Sequence, residues 1–406
     1  MRICRHVPPP DRDGTALGVT VTERIAVVGG GIAGASAAYF LVEAAPDSEV
    51  VLLEAEEHLA MHTTGRSAAL LLENDGTRSI RSLVRASVDF LRGPPEELVD
   101  TPVVVPREVM HVGGPDQGGS IDRLLAENAS GAIPTIEISA DEARYRFPAL
   151  RLKAVDRVAL DTGAADIDVH GLHQAYLRGL RRAGGRVAAS HRVDAAVSDG
   201  DGWLLETTGG NLTADVLVNT AGAWGDLVAR RAGVPTVGLE PRRRTAFNVT
   251  GPGPEVAGWA MVADVDMRFY VKPDGTQLLC SLAEENPSEP CDARPEETDV
   301  ALAIDRINAA TTLGIRAVNS TWTGLRTFVP DRSMVIGPEP GRPSFVWCVG
   351  QGGTGIMTSP GAGRLVADLV LRGEPSGHFD DTGLVLDDVL PDRFRSLTGD
   401  STRTAV

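Results

Sequence analysis

Residues 24–54 read RIAVVGGGIAGASAAYFLVEAAPDSEVVLLE, and this stretch decides the fold of the chain. An apolar run leads into a glycine turn from Gly29 to Gly34, a helix of small residues follows, and a second apolar run ends at Glu54. Glycines at these spacings permit a tight turn, let the backbone approach a pyrophosphate and let the helix lie close to the strand. The free N–H groups of the helix N-terminus then face the phosphate charge. Glu54 follows Gly34 by 20 residues, which is typical of the acid that binds ribose hydroxyls. We therefore predict a dinucleotide-binding strand–helix–strand unit, and the stretch leaves open which dinucleotide it binds.

The bulk composition predicts an acidic globular protein of two domains. The chain has 406 residues, 42% of them hydrophobic, and a formal charge of −16. This length exceeds one ordinary domain, and the acidity argues against nucleic acid or an anionic membrane as a partner. No stretch approaches the roughly 18 apolar residues of a membrane-spanning helix, and residues 1–23 lack the apolar segment of a signal peptide. The four cysteines show no metal-ligand spacing, so we expect reduced thiols and a cytoplasmic location.

Two kinds of pattern alternate along the chain and predict interleaved domains. Glycine turns between buried strands and helices indicate a Rossmann-like α/β domain. Long alternating strands such as PRRRTAFNVTG (241–251) and MRFYVKPDGTQLLCS (267–281) indicate a discontinuous second domain of α+β type, built on an antiparallel sheet. The predicted boundaries are 24–84, 151–235 and 325–390 for the Rossmann-like domain, 85–150 and 236–324 for the second domain, and 1–23 and 391–406 for disordered tails.

Three further segments have the composition of ligand-binding turns. Residues 63–69, TTGRSAA, place hydroxyls, a glycine and one Arg together, so that they can wrap a pyrophosphate or a flavin edge. The alternative is a polar loop that caps a helix over residues 67–72. A predicted buried strand delivers TAGAW (220–224) to a place where a ligand passes close. QGGTGI (351–356) precedes a helix predicted over residues 356–371, whose N-terminus carries partial positive charge.

In these segments the chain resembles the superfamily of flavin-dependent amino-acid oxidases and dehydrogenases that includes glycine oxidase and monomeric sarcosine oxidase. Within it, the motifs are most similar to those of D-arginine dehydrogenases. The similarity covers residues 24–372 and rests on GGGIAGAS, TTGRSAA, GAADIDVHGLHQAYLRGLRR, VLVNTAGAW, RRRTAF, FYVKPDG, TWTGLRTFVPD and GQGGTGIMTS, in the family's order. It implies FAD as the dinucleotide. Sarcosine oxidases anchor the flavin through a Cys whose position is Gly324 here, so the resemblance implies noncovalent FAD.

The resemblance also implies which residues hold FAD. The first glycine turn and the acid would hold the ADP half, the segment after residue 63 the pyrophosphate and isoalloxazine, and the late glycine cluster the flavin pyrimidine ring. A helix that begins near Gly355 would stabilise negative charge on that ring. The implied FAD-binding residues are Gly29, Gly31, Ile32, Ala33, Gly34, Glu54, Ala55, Thr63, Thr64, Gly65, Arg66, Ser67, Ala68, Ala69, Leu70, Val193, Ala221, Gly222, Trp224, Gly353, Thr354, Gly355, Ile356, Met357 and Thr358.

A clamp for a substrate carboxylate is the third implication of the resemblance, and it consists of Arg244, Tyr270 and Arg326. A guanidinium and a phenol that fix the carboxylate orient the Cα–H of the substrate toward flavin N5 for hydride transfer. Asp100 and Thr354 are implied as further substrate contacts. The carboxylate end of the D-arginine dehydrogenase pocket is therefore retained.

The lid of that pocket is not retained. Leu70, Leu72 and Asp75 stand where those enzymes carry His, Thr and Tyr, which leaves the side-chain preference open. His170 and His173, three residues apart, lack a third ligand nearby, so we expect surface or interdomain positions for them and no metal site. The acidic pair at residues 284–285 is expected on a solvated face.

The leading hypothesis is an FAD-dependent oxidoreductase that converts an amino acid, with D-amino acids foremost, or a related amine to its imine. The small-molecule substrate would pass electrons through the flavin to O₂ or a quinone-type acceptor. One alternative is an FAD-dependent enzyme for 2-hydroxy acids, because the same carboxylate clamp can hold an alcohol. The second alternative is a dinucleotide-binding protein without redox turnover.

Overall fold

The computed structural model describes residues 23–129, 131–200 and 202–395, so residues 1–22 and 396–406 of the predicted tails lie outside the described residues. The helices are α1 (Ile32–Ala44), α2 (Arg78–Arg92), α3 (Gly118–Asn128), α4 (Ala140–Arg146), α5 (Val169–Arg182), α6 (Gly225–Arg231), α7 (Glu297–Ala310) and α8 (Ser359–Arg372). The strands are β1 (Arg24–Val28), β2 (Glu49–Leu53), β3 (Leu70–Leu71), β4 (Val104–Pro106), β5 (Val109–Gly113), β6 (Ile136–Ile138), β7 (Arg157–Asp161), β8 (Ala165–Ile167), β9 (Arg186–Ala188), β10 (Val193–Asp199), β11 (Gly202–Thr207), β12 (Leu212–Ala214), β13 (Val216–Asn219), β14 (Glu240–Thr250), β15 (Met261–Asp264), β16 (Tyr270–Asp274), β17 (Gln277–Ser281), β18 (Asn286–Pro287), β19 (Ser320–Phe328), β20 (Val335–Glu339) and β21 (Arg342–Val349). No helix in these described ranges is long and apolar enough to cross a bilayer.

A six-stranded sheet carries the glycine turn at its centre, in the strand order β20-β21-β13-β1-β2-β9. The pairings from β21 to β9 are parallel, and β20 is antiparallel at one edge. Ile25 and Val27 of β1 pack in one core with residues of α1, α2, α5 and α8. Ala26 and Val28 pack in a second core with α6 and the three-stranded ribbon β10-β11-β12. A largely parallel sheet that is buried on both faces is typical of doubly wound α/β domains, and the predicted fold class is confirmed.

A second, nine-stranded sheet lies beside the first domain, in the order β18-β14-β17-β16-β15-β5-β7-β6, with β19 paired to β14. All of its pairings are antiparallel except that of β5 with β15. One face forms a core with residues of α4 and α7. The other face, which includes Ala246, Ala263 and Tyr270, packs against Ala68 and Leu70. That face therefore meets the segment expected to wrap the cofactor.

Three predicted domain boundaries differ from the observed element memberships. The boundary after residue 84 falls inside α2, whose buried residues belong to the core under the six-stranded sheet. Residues 157–161 form β7 of the nine-stranded sheet, because their backbone groups pair with β5 and β6. The boundary after residue 324 divides β19, which is continuous and paired to β14.

Two local expectations also need correction. Residues 67–72 form no helix, because Leu70 and Leu71 pair with β8 as a strand. The last helix begins at Ser359, with Thr358 as its N-cap, and residues 352–357 are bridge and turn residues. The helix N-terminus therefore lies three residues later than the predicted start at residue 356.

Residues 391–395 belong to the folded domain, in contrast to the predicted tail. Arg395 pairs with the carboxylate of Glu339 at 2.7 Å, and Trp347 Nε1 donates to the same carboxylate at 2.9 Å. Glu339 is only 2% exposed, and Arg395 supplies a counter-charge to this buried carboxylate. We expect Arg395→Met to lower the free energy of unfolding by about 3 kcal/mol, since removing one partner leaves a buried charge unpaired. Chemical denaturation would measure this loss, with Arg186→Met at an exposed position as the control. Equal stability of both variants would contradict the structural role of residues 391–395.

Candidate active site

A cavity of about 470 Å³ lies between the two sheets. Its walls on one side are the carboxyl ends of β1, β2 and β13, and on the other side β14, β16 and β19. The segments 60–68 and 351–356 also line it. Ligands of open α/β sheets bind outside the carboxyl ends of the strands, so the cavity occupies the expected place.

The glycine turn is shaped by contacts that leave no room for side chains. Gly29 has a φ of +112°, and a Cβ there would lie 2.7 Å from the carbonyl oxygen of Thr220. A Cβ at Gly34 would lie 1.9 Å from the carbonyl oxygen of Gly29, so helix α1 packs directly on the turn. Gly31 differs, because the nearest atom to a Cβ is Thr64 Oγ1 at 3.2 Å and the residue lines the cavity. Gly29 and Gly34 thus build the turn, and Gly31 keeps space open beside it.

Two side chains hold the glycine turn from outside. Glu54 lines the cavity, and its carboxylate accepts hydrogen bonds from Gly30 N at 2.8 Å and Glu56 N at 2.9 Å. His173, which the sequence placed at the surface or between domains, is 3% exposed, and its Nε2 lies 2.9 Å from the Gly30 carbonyl. A carbonyl can only accept, so Nε2 carries the proton. Burial lowers the pKa of His173, which favours the neutral ring in this structural role.

The segment at residues 63–68 lines the cavity, but its cation has protein partners. Arg66 donates to the carbonyl oxygens of Thr323 at 2.7 Å and Ala293 at 3.1 Å, and pairs with Asp292 at 2.5 Å. Its guanidinium fastens the segment to β19. Arg66 also lines the cavity, so its implied contact with FAD stays a prediction.

Arg244, Tyr270 and Arg326 are brought together at one side of the cavity and all three line it. Arg244 and Tyr270 are 7% and 3% exposed. Arg244 Nε donates to the Glu284 carbonyl at 2.7 Å, but its buried Nη1 has no hydrogen-bond partner in the described part of the chain. Within the described residues, neither the Tyr270 hydroxyl nor the Arg326 guanidinium has a hydrogen bond or ion pair. Burial and, next, the charge of Arg326 lower the pKa of Arg244 to about 10, so a nearby anion would stabilise this cation.

The structure does not bring Asp100 to the site. Its side chain is 88% exposed and pairs with Arg178 at 3.2 Å. The implied substrate contact is therefore wrong in placement, because Asp100 lies in the connection that follows α2 and not on a wall of the cavity. Thr354 also does not line the cavity. Its hydroxyl donates to the Gln351 carbonyl at 2.9 Å. Of the implied FAD-binding residues, those outside the lining are Gly34, Gly65, Ala69, Leu70, Thr354, Met357 and Thr358.

Some residues at the site carry no recognisable signal in the sequence. Thr327 lines the cavity, and its buried hydroxyl has no hydrogen-bond partner among the residues that the structure describes. Only its place directly after Arg326 could have indicated it. Glu285, expected on a solvated face, accepts from Arg332 at 2.9 Å and lies 3.4 Å from Arg244 Nη2. Glu284 is also drawn inward, and burial raises its pKa. The acidic pair therefore lies beside Arg244.

The fold and the cavity define an α/β protein of the dinucleotide-binding class, with Arg244, Tyr270 and Arg326 along one wall of the cavity. The profile of the family "DAO: FAD dependent oxidoreductase" matches residues 24–369. The chain belongs to this family of FAD-dependent oxidoreductases, which confirms FAD as the predicted dinucleotide. The further similarity to D-arginine dehydrogenases stays a prediction.

Relatives of known name agree with this membership. Human mitochondrial dimethylglycine dehydrogenase is 24% identical over 373 residues, which are 86% of this chain and 42% of that protein. The chain thus spans less than half the length of that curated relative. The solved L-proline dehydrogenase of P. horikoshii superposes with a TM-score of 0.81 at 19% identity, covering 92% of this chain and 98% of the other. Glycine oxidase of Geobacillus kaustophilus gives a TM-score of 0.76 at 22% identity, covering 86% and 95%. These structures establish the shared fold.

The residues around the cavity fit FAD. Gly31 leaves open the space beside the N-terminus of α1, where a pyrophosphate is stabilised by helix N–H groups. Glu54 is fixed by backbone N–H groups at the end of β2, in the position that suits ribose hydroxyls. A Cβ built at Gly324 would have only ordinary contacts, with Arg66 Cβ at 3.5 Å and Thr63 Cα at 3.6 Å. Because Gly324 offers no thiol, we propose that FAD is held there noncovalently.

Proposed function

We propose that this chain oxidises a small amino acid or related amine that carries a carboxylate, and that the product is the imine, which water hydrolyses. One observation carries the proposal. Arg244, Tyr270 and Arg326 line the cavity, and among the described residues their hydrogen-bond donors lack a full set of acceptors. A buried guanidinium nitrogen without an acceptor costs free energy. A substrate carboxylate would supply both the acceptor and the counter-charge, in the planar geometry that a guanidinium matches.

The chemistry follows from holding the carboxylate. When bound, FAD supplies the two-electron acceptor for such an oxidation. Arg244 and Arg326 would bind the carboxylate while the Tyr270 hydroxyl donates to it, so that the substrate is fixed at one end. The Cα–H bond is then held in one orientation. The reaction becomes effectively unimolecular, which lowers its entropic barrier. Loss of a hydride from Cα and of a proton from the nitrogen of a primary or secondary amine gives the imine. A tertiary amine has no such proton in its neutral form and gives an iminium ion by loss of the hydride alone. Neither step requires a side-chain nucleophile.

The substrate class can be narrowed by what the site lacks. The exposed position of Asp100 removes the acid that a D-arginine side chain would need. We therefore propose small or N-alkylated amino acids, of the kind named in the relatives dimethylglycine dehydrogenase, glycine oxidase and L-proline dehydrogenase, together with small D-amino acids. A cytoplasmic location and the choice between O₂ and a quinone as acceptor stay predictions.

Anaerobic bleaching of the flavin tests this proposal. The purified holoprotein is mixed with glycine, sarcosine, dimethylglycine, D- and L-proline, D- and L-alanine and a series of 2-hydroxy acids, and the visible flavin absorbance is followed. Bleaching by amino acids is the expected result, with release of ammonia or an alkylamine on turnover of the acyclic ones; proline would instead give a cyclic imine that keeps its nitrogen. Bleaching by 2-hydroxy acids alone would replace the proposal by the hydroxy-acid function. A protein that neither contains flavin nor takes it up would instead be a dinucleotide-binding protein without redox turnover.

Glu285 provides an independent check on the clamp. Its carboxylate lies 3.4 Å from Arg244 Nη2 and competes with a substrate carboxylate for that cation. We expect Glu285→Gln to tighten the binding of benzoate, a carboxylate without an amino group, by about threefold to tenfold, since a nearby negative charge is removed. Titration of the flavin absorbance with benzoate would measure this change. Glu289→Gln, at an exposed residue four positions later, is the control. Weaker benzoate binding in Glu285→Gln would show that Glu285 holds Arg244 in place.

A further inference from the structure

A buried lysine joins the two halves of the site. The chain contains only two lysines, Lys153 and Lys272, among 39 Lys and Arg residues. Lys272 lies two residues after Tyr270 on β16, so both side chains face the same side of the sheet. Lys272 is 8% exposed. A buried ammonium requires specific partners, and these partners indicate what Lys272 does.

Both partners of the ammonium lie beside the cofactor-facing segment. Lys272 Nζ donates to the carbonyl oxygen of Ala68 at 2.7 Å and to Asp166 Oδ1 at 2.8 Å. Ala68 lines the cavity, and Asp166 is the β8 residue that pairs with Leu70 of β3. The other oxygen of Asp166 accepts from Arg107 Nε at 2.8 Å. The ammonium thus holds the end of the segment both directly and through the strand paired with it.

The start of the same segment is fastened to a different strand of the nine-stranded sheet, β19. Thr63 Oγ1 donates to the Leu325 carbonyl at 2.7 Å, and Arg66 donates to the Thr323 carbonyl at 2.7 Å. Both acceptors belong to β19, which carries Arg326. Residues 63–68 are therefore fixed at one end to the strand of Arg326 and at the other end to the strand of Tyr270.

We propose that Lys272 is a positioning residue that sets the place of residues 63–68, and with it the place of FAD, relative to the substrate clamp. The inference rests on the proposed function for the clamp and on family membership for FAD. A lysine suits this task in a chain that otherwise uses arginine, because a compact ammonium on a flexible stem can bind two acceptors in a narrow space where a planar guanidinium needs more room. Lys272 contacts neither the substrate nor the reacting atoms in this role.

The test compares Lys272→Met with Lys153→Met, which removes the exposed second lysine. For both holoproteins, three quantities are measured: the Kd of FAD by fluorescence, the visible circular dichroism of the bound flavin, and kcat and KM with the amino acid that bleaches the flavin fastest. For Lys272→Met we expect the Kd to rise by about tenfold, as for loss of a charge-assisted hydrogen bond, and the dichroism to change. We expect kcat to fall by about tenfold and KM to stay within about twofold, because the clamp is intact and only the orientation of the reacting groups is lost. Lys153→Met should match the unmodified protein.

Each other outcome overturns the proposal. Unchanged Kd, dichroism and kcat would mean that Lys272 positions nothing, and a rise in KM larger than the fall in kcat would make it a substrate contact. Should Lys272→Met fail to fold, Asp166→Asn retains the shape of the ammonium's partner and removes its charge, and the same pattern of weaker FAD binding and altered dichroism is expected. The Kd and the dichroism need no substrate, so the proposal stands or falls on them even if no amino acid in the panel is oxidised.

Discussion

Replacing Arg326 by Met is expected to lower kcat/KM for the oxidised amino acid by about 10²-fold or more, because a charge-assisted bidentate contact is lost together with the orientation of the reacting carbon. Arg326 lies on β19 opposite Arg242 and lines the cavity. Its guanidinium has no hydrogen bond or ion pair with any residue in the described ranges. Under the proposed function, the partner of this cation is the substrate. Steady-state kinetics with the amino acid that bleaches the flavin would measure the loss.

Two further variants make the result for Arg326 specific. Arg316→Met removes an exposed arginine and should leave kcat/KM unchanged. Gly353→Ala retains the guanidinium but displaces it, because a Cβ at residue 353 would lie 2.6 Å from Arg326 Nη1. An intermediate loss of kcat/KM, carried mainly by KM, is expected for Gly353→Ala. Near-native kinetics of Arg326→Met would remove this residue from the site and leave Arg244 and Tyr270 as the clamp.

The features that could be predicted from sequence are those that local physics determines. The glycine turn requires residues without side chains at fixed spacings, and the structure shows the reason in the close contacts of Gly29 and Gly34. The α/β class follows from the same repeated pattern of buried strands and glycine turns. The clamp could be assigned to positions through motif resemblance, and Arg244, Tyr270 and Arg326 do line one cavity, although their roles rest on the experiments above.

The contacts that could not be predicted from sequence are those between side chains and groups distant along the chain. No feature of the sequence indicated that Arg66, which lines the cavity, also donates to the carbonyls of residues 293 and 323. Asp100 had the right charge, yet the chain direction after α2 carries it to the surface beside Arg178. Glu285 was expected in solvent because its neighbours in the sequence are polar, whereas in the fold its carboxylate lies beside Arg244 of β14. Each of these contacts depends on which groups the tertiary packing places opposite a side chain.

Gly31→Val is the second variant with a large expected effect, and it tests the cofactor site without disturbing the fold. Gly31 is the N-cap of α1 with a φ of −74°, a conformation that valine adopts freely. Its Cβ would meet only Thr64 Oγ1 at 3.2 Å, and the γ-methyl groups would extend into the cavity. We expect the Kd of FAD to rise by about 10²-fold or more, because the methyl groups fill the space through which a pyrophosphate approaches the backbone. The protein should therefore be purified without flavin, and fluorescence titration with FAD would quantify the loss.

Two matched glycine variants separate loss of the site from loss of the fold. Gly119→Val, on α3, should bind FAD as the unmodified protein does, because its Cβ would meet no described atom within 4 Å beyond the adjacent backbone of its own helix. Gly34→Val places a Cβ 1.9 Å from the Gly29 carbonyl oxygen, so it should disrupt the packing of α1 on the turn and reduce the yield of folded protein. Gly31→Val should resemble Gly119→Val in the thermal unfolding of the FAD-free protein and differ from it only in FAD binding. A Gly31→Val protein that retains FAD through purification would show that the pyrophosphate does not pass this turn, and the glycine fingerprint would then have been misread.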